Sequence, residues 1–356
     1  MKNKEVINHR VASATQFHFL HLELADQADI LNALSAQTGR RAEILEKDIW
    51  LCEVLNLLFD LPCRKPMAFK GGTSLSKVYQ AIERFSEDID VTIDYRSLLD
   101  EEIALQTLSR SKREKLSDTL KHRLAEHIAT ALAPALQTSL KRSHPGKSIN
   151  LEVSTNGEEL RIFYPSAVNH SSTYLRPHIL IEFGGRNAVL PQDKLTITAD
   201  IATYLPDMIF PVARISVLSP MRTFWEKVTL IHAECHRPNI RENAHRLSRH
   251  WYDLAQLASH KIGHCALNDL SLLLDVVQIK KTFFYSGFSN YDACLSGGIR
   301  LLPEKEMLSA LARDYKAMQA AGMFYGTDLA FDIIIDRLQN LETVANQSIS
   351  SARHTF

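Results

Sequence analysis

The stretch Phe69-Lys70-Gly71-Gly72-Thr73-Ser74-Leu75-Ser76-Lys77-Val78-Tyr79 decides the fold, together with the run Arg84-Phe85-Ser86-Glu87-Asp88-Ile89-Asp90-Val91 that follows it. It predicts a strand, a glycine turn, a helix starting near Thr73 or Ser74, and a second strand. Side chains alternate across a strand, so Asp88 and Asp90 point one way while Ile89 and Val91 point into a core. Ser86 falls on the carboxylate side. Two carboxylates held side by side repel each other unless a cation lies between them. A hard divalent ion such as Mg2+ (or Mn2+) takes carboxylate oxygens and leaves places for phosphate oxygens. Gly71 and Gly72 allow a tight turn and close backbone approach, and a helix start presents unpaired amides to an anion. Lys77, one turn after Ser74, is expected to add a positive charge to that anion site.

Strands are expected near 149–153, 160–164 and 178–183, after the Pro145-Gly146 break. In the last of these, Glu182 interrupts the apolar run Ile179-Leu180-Ile181-Glu182-Phe183. A lone carboxylate in an apolar central strand is costly unless it is paired or bound to metal. Glu182 is therefore a candidate third carboxylate, or else an outward-facing residue on a half-exposed strand. Gly184-Gly185 is expected to end the strand.

Residues 1–60 read as helical, the second helix carrying Glu46-Lys47-Asp48-Ile49-Trp50, and Pro62 and Pro66 stop it. Residues 98–142 predict two helices broken near 109–111. Arg110, Lys112, Arg113, Lys115, Lys121 and Arg123 make this the most basic part of the chain, either a solvated face or a nucleic-acid patch. From Ser219-Pro220 onward the pattern is helical. Phe224, Trp225, Val228 and Ile231 form one apolar stripe, and Leu247, Trp251, Leu254 and Ala258 another. Further helices are expected near 267–284, 304–321 and 328–347, and the loop 285–298 is positioned to hold or cover a substrate.

With 356 residues the chain is long enough for one large domain or two packed lobes. Lys+Arg and Asp+Glu both number 41, so no global field draws it to nucleic acid and any such contact must be local. The five cysteines are scattered, as in reduced cytosolic proteins, and the spacing of Cys235, His232, His236, His245 and His250 fits no common zinc site. No apolar run approaches a membrane span, and a cytoplasmic protein is expected.

The string FKGGTSLSKVYQAIERFSEDIDVTI (69–93), with SPMRTFWEKVTLIHAE (219–234) and RLSRHWYDLAQL (246–257), resembles the AbiEii/AbiGii family. These are toxins of type IV toxin–antitoxin systems that include the MenT-type enzymes, within the polymerase-β-like nucleotidyltransferases. The likeness spans roughly residues 40–260 and shows no departure at Gly72, Ser74, Asp88, Asp90, Lys227 or Asp253. No Gly-Lys-Ser/Thr ends the turn, so it is not a P-loop. The resemblance implies an α+β fold: a mixed sheet flanked by helices, with N-terminal helices over 1–65, a nucleotidyltransferase core over 66–218 and a helical lobe over 219–356.

It also implies that Asp88 and Asp90, with Glu182, hold Mg2+, and that Gly71, Gly72, Thr73, Ser74 and Lys77 bind the nucleotide. Lys227 and Asp253 would face the site from the helical lobe, Asp253 either orienting Lys227 or accepting a proton. The implied substrate is an NTP and the leading acceptor is RNA, in particular the tRNA 3′ end. The alternatives are a protein hydroxyl, or a nucleotide-binding regulator without turnover. A separately encoded antitoxin is the implied partner.

Overall fold

The computed structural model describes residues 17–169, 174–238, 246–326 and 328–352. Helix α1 (Leu24–Thr38) stops at Gly39, whose φ of +70° is a left-handed cap that glycine adopts without strain. Helix α2 (Ala42–Asp60) follows and is buried along most of its length. Next come β1 (Met67–Lys70), the short α3 (Gly71–Lys77) and β2 (Asp88–Asp94).

Helices α4 (Arg110–His127) and α5 (Ala133–Ser143) are joined through a π turn at Ile128–Leu132. The expected break near 109–111 is therefore corrected. Ser109 caps α4 by accepting from the Lys112 amide, and residues before it form only short 3-10 turns. The π turn accommodates Pro134, which lacks an amide to donate.

Five more strands follow: β3 (Asn150–Val153), β4 (Glu159–Phe163), β5 (Ile179–Asn187), β6 (Gln192–Thr198) and β7 (Val212–Leu218). All seven form one mixed sheet in the order β3-β4-β5-β2-β1-β7-β6. Strand β5 runs through Gly184-Gly185 instead of ending there. A Cβ on Gly185 would meet Leu98 Cδ1 at 2.8 Å and Leu124 Cβ at 3.2 Å, so this glycine lets α4 lie on the strand. Strands β6 and β7 were not foreseen.

The apolar residues of β2 and β5, Ile89, Val91, Ile93, Ile181 and Phe183, share a core with α2, α4 and α5. A second core lies among α6 (Pro220–Cys235), α7 (Ser248–Ala258), α8 (Lys261–Asn268), α9 (Leu270–Phe283), α10 (Lys305–Ala320) and α11 (Phe331–Ala352). Phe224, Trp225, Trp251 and Leu254 lie in it, as the apolar stripes predict. Leu75 of α3 also belongs to this second core, so the glycine turn is fixed between sheet and helices. The architecture is α+β, as expected. No single described helix is long and apolar enough to cross a membrane.

Candidate active site

Strands β2 and β5 run parallel, with Asp88 opposite Leu180 and Asp90 opposite Glu182. Residues in register across paired strands share a face. Asp88, Asp90 and Glu182 therefore stand on one side of the sheet, away from the apolar core. Lys70, opposite Asp90 on β1, joins them.

The glycine turn rests directly on this face. Gly71 has φ +78°, and a Cβ there would lie 1.9 Å from Asp90 Oδ2. A Cβ on Gly72 would lie 2.6 Å from Arg84 Nη2 and 2.8 Å from Ser86 Oγ. Only glycine lets the backbone approach so closely. The resulting pocket, of about 280 Å³, is floored by these glycines, Ser86, Asp88, Asp90 and Glu182. Its other wall is Lys227, Arg249, His250 and Lys280 from the helices. Larger concavities exist, one of about 700 Å³ around Cys235 and Arg300, but those described do not gather the three carboxylates.

Three of the expected phosphate-binding side chains do not line the pocket. Thr73 is fully buried and its hydroxyl donates to the carbonyls of Ser86 and Asp88, which ties the turn to β2. Ser74 is also buried and donates back to the Gly71 carbonyl at 2.9 Å. Lys77 points the other way, its ammonium held by Asp48 and by Asp200 at 2.8 Å. The expectation that Lys77 adds charge to the anion site is corrected: its end of α3 faces α2, whose Asp48 takes the charge.

Lys227 lines the pocket, whereas Asp253 does not line it and meets it only through Lys227 and Arg84. Asp253 is wholly buried, gripped by Arg84 Nε and Nη2 at 2.7 and 2.8 Å and by Lys227 at 2.9 Å. Burial alone would raise its carboxyl, but Arg84 and Lys227 hold it well below the usual range. Asp253 is thereby held ionised between Arg84 and Lys227. Lys227 Nζ also lies 3.4 Å from His250 Nδ1. Burial, and then Lys227 and Arg249, push His250 well below its usual value, which leaves it neutral.

Arg249, Arg176, Lys280 and Arg84 were not anticipated as site residues. Arg176 and Arg249 both donate to Asp88, Arg249 at 2.9 Å. Burial would raise the Asp88 carboxyl, and these two guanidinium groups bring it down to about 2. Arg176 is positioned from behind, where Glu87 accepts from its amide and Lys47 donates to its carbonyl and to Glu87. Lys47 and Asp48 are thus buried supports. The Arg249–Asp253 spacing in RLSRHWYDLAQL carried the signal for Arg249, whereas Arg176 had none.

Asp90 and Glu182 make no ion pair among the described residues. Burial raises Asp90, with Lys70 pulling down and Asp88 pushing up. Burial, then Asp90 and Asp88, push Glu182 up to about 7. The lysines opposite are disturbed in the reverse sense. Burial lowers Lys227 despite Asp253, and burial with Lys70 and Arg222 nearby lowers Lys280 to about 8. Lys70 is neutralised by Glu226 at 2.7 Å.

Hard oxygen donors crowded at like charge are the donor set that a divalent cation suits, so Asp90, Glu182 and Asp88 fit one chemically. As they stand, no three His, Cys, Asp or Glu side chains among the described residues close on a single point. Asp88 is turned to its arginines instead. His245 of the cysteine–histidine group lies outside the described residues.

A carboxylate face roofed by a glycine turn and closed by basic helices defines a nucleotidyltransferase-type site. Residues 55–337 match the model of the AbiEii nucleotidyl transferase toxin of type IV toxin–antitoxin systems, and the chain belongs to that family. A structural comparison matches the chain to MenT4, a nucleotidyltransferase toxin from Mycobacterium tuberculosis H37Rv, at 17% identity over 94% of this chain and 96% of that one, with a TM-score of 0.40. No curated protein matches the chain. Family membership implies a nucleotide substrate and a cognate antitoxin.

Proposed function

We propose that the protein transfers nucleotides from an NTP to an RNA 3′ end, with tRNA the leading acceptor, in a reaction that requires Mg2+ or Mn2+. The observation that carries this reading is the double imbalance of the pocket. Among the described residues Asp90 and Glu182 lack a cation and Lys280 lacks an anion, while Asp88, Lys70 and Lys227 are paired within the protein, and a metal-bound triphosphate supplies both missing partners. Asp90 and Glu182 would hold the metal, joined by Asp88 once Arg176 or Arg249 turns to the nucleotide. Bound there, the metal supplies charge neutralisation and alignment for an in-line displacement.

The rest of the chemistry belongs to the chain. Lys280, in no ion pair among the described residues, and Lys227, fixed by Asp253, meet phosphate oxygens. Gly71 and Gly72 let those oxygens approach the backbone. The acceptor hydroxyl oxygen bonds to the α-phosphorus while the bond to the β-phosphate oxygen breaks and pyrophosphate leaves with the electron pair. The hydroxyl proton is released to water as that bond forms.

Incubation of the protein with α-labelled NTP, total RNA and lysate protein tests this. Label in RNA at its 3′ end, dependent on added metal, is expected. Label in protein alone would replace the acceptor, and tight NTP binding without transfer would make the chain a regulator.

A further inference from the structure

Two features that lie far apart in the sequence meet beside the active site. The basic helix α4 and the residues just after α9 enclose a cleft of about 570 Å³. Five cationic residues line it, Arg110, Arg113, Lys121, Arg186 and Lys281, against the two carboxylates Glu114 and Asp118. Lys281 pairs with Asp292, and Arg186 lies 3.6 Å from Glu158, so in a chain whose charges balance at 41 and 41 the unmatched positive charge of the lining rests on Arg113. The pairs Arg110–Glu114 and Lys121–Asp118 are exposed and weak, so a phosphate can displace them. Arg113 makes no ion pair, and its Nε is buried without a hydrogen-bond partner among the described residues.

One solvent-facing aromatic ring, Tyr285, lines the cleft, and a second, Phe284, lies against its Arg186. Tyr285 is 57% exposed and Phe284 39%. Arg110 stands 5.3 Å over the Tyr285 ring, and Arg186 stands 4.9 Å over that of Phe284. Lys280 Nζ lies 4.7 Å from the same Phe284 ring, and Lys280 lines the carboxylate pocket. Phe284 lines neither cavity itself but is touched by a cation from each.

Resting on the nucleotidyltransferase reading above, we propose that this cleft holds the single-stranded 3′ end of the RNA acceptor. Its last bases stack on Tyr285 and Phe284, and its phosphates meet Arg110, Arg113 and Arg186. Exposed rings interleaved with arginines are what unpaired bases and their phosphates require. The strand then passes Phe284 and delivers its terminal hydroxyl to the pocket beside Lys280.

The test uses the full chain and a short fluorescein-labelled single-stranded RNA of mixed sequence, read by anisotropy. Tyr285→Ala is expected to weaken binding about tenfold, the value of one stacked base. Arg113→Gln should lower the salt slope of binding by about 0.7, the value of one phosphate contact on a single strand. For both, NTP affinity by equilibrium dialysis should move by less than about twofold, which also reports folding. A blunt duplex should compete at least about tenfold less well. If both variants bind the RNA as wild type does while label still enters RNA, the cleft assignment is wrong and the activity stands. Equal competition by the duplex overturns the stacking. If wild type binds no RNA and labels only protein, the RNA reading and the cleft fall together.

Discussion

Helix α3 has two ends with opposite fates. At Gly71 it touches Asp90, a carboxylate with no ion pair among the described residues. At Lys77 it ends in a sealed cluster with Asp48 and Asp200, to which Arg40 also donates at 2.8 Å. Burial opposes the Lys77 charge, yet Asp48 and its neighbours hold it well above the usual lysine value. Lys280, in the pocket, is instead lowered to about 8. The difference teaches where function lies: charges that cancel inside the protein hold it together, and charges left unmatched on both sides of a cavity require a ligand.

Predictions can break or sharpen that contrast. The largest effect is expected at Asp253→Ala, which strips Arg84 and Lys227 of their shared partner. Breaking such a buried pair costs about 3–5 kcal/mol, so the denaturation midpoint should collapse together with activity. Preserved stability there would mean that Asp253 is no support. Lys77→Met should also destabilise, by about 2–4 kcal/mol, because Asp48 loses its partner. NTP affinity of the folded fraction should hold within about twofold. Weakened NTP binding in a stably folded Lys77→Met would return Lys77 to the nucleotide site.

Glu182→Gln is expected to stabilise the metal-free protein, and only at higher pH. The Glu182 carboxyl stands at about 7 when folded against its ordinary value of 4.5. Its ionisation therefore opposes folding, with no penalty below pH 4.5 and the full penalty above pH 7. The gain over wild type should be absent at pH 4 and reach about 1–3 kcal/mol at pH 8. A gain independent of pH would contradict the crowding of Asp90 and Glu182. The smallest stability change, about 1–2 kcal/mol, is expected at Gly71→Ala from its positive φ. Transfer should nonetheless fall by more than about tenfold, because the new Cβ displaces the Asp90 carboxylate.

The carboxylate face was legible in sequence because strand alternation is local: Asp88, Asp90 and the interruption at Glu182 each declare a side. That Asp90 and Glu182 would stand in register could be expected only through the family resemblance. Only the family resemblance nominates Lys227 and Asp253, since helix period alone makes each a surface charge, and the structure encloses Asp253. The misreadings share one cause. Lys77 was assigned by its helical spacing from Ser74, and Ser74 by the resemblance and its place at the turn, and neither signal says what packs on that face. Gly184-Gly185 read as a strand end because the approach of α4 that requires Gly185 is a tertiary contact. Arg176 reaches Asp88 across 88 positions with no periodic signal at all.

The most direct measurement is metal-dependent label transfer by Asp90→Ala, taken together with its melting temperature. Removing one of the crowded carboxylates relieves repulsion, so the variant should melt at or above the wild-type temperature while transfer is abolished. A well-folded Asp90→Ala that transfers label at the wild-type rate would contradict the carboxylate face as the site of chemistry.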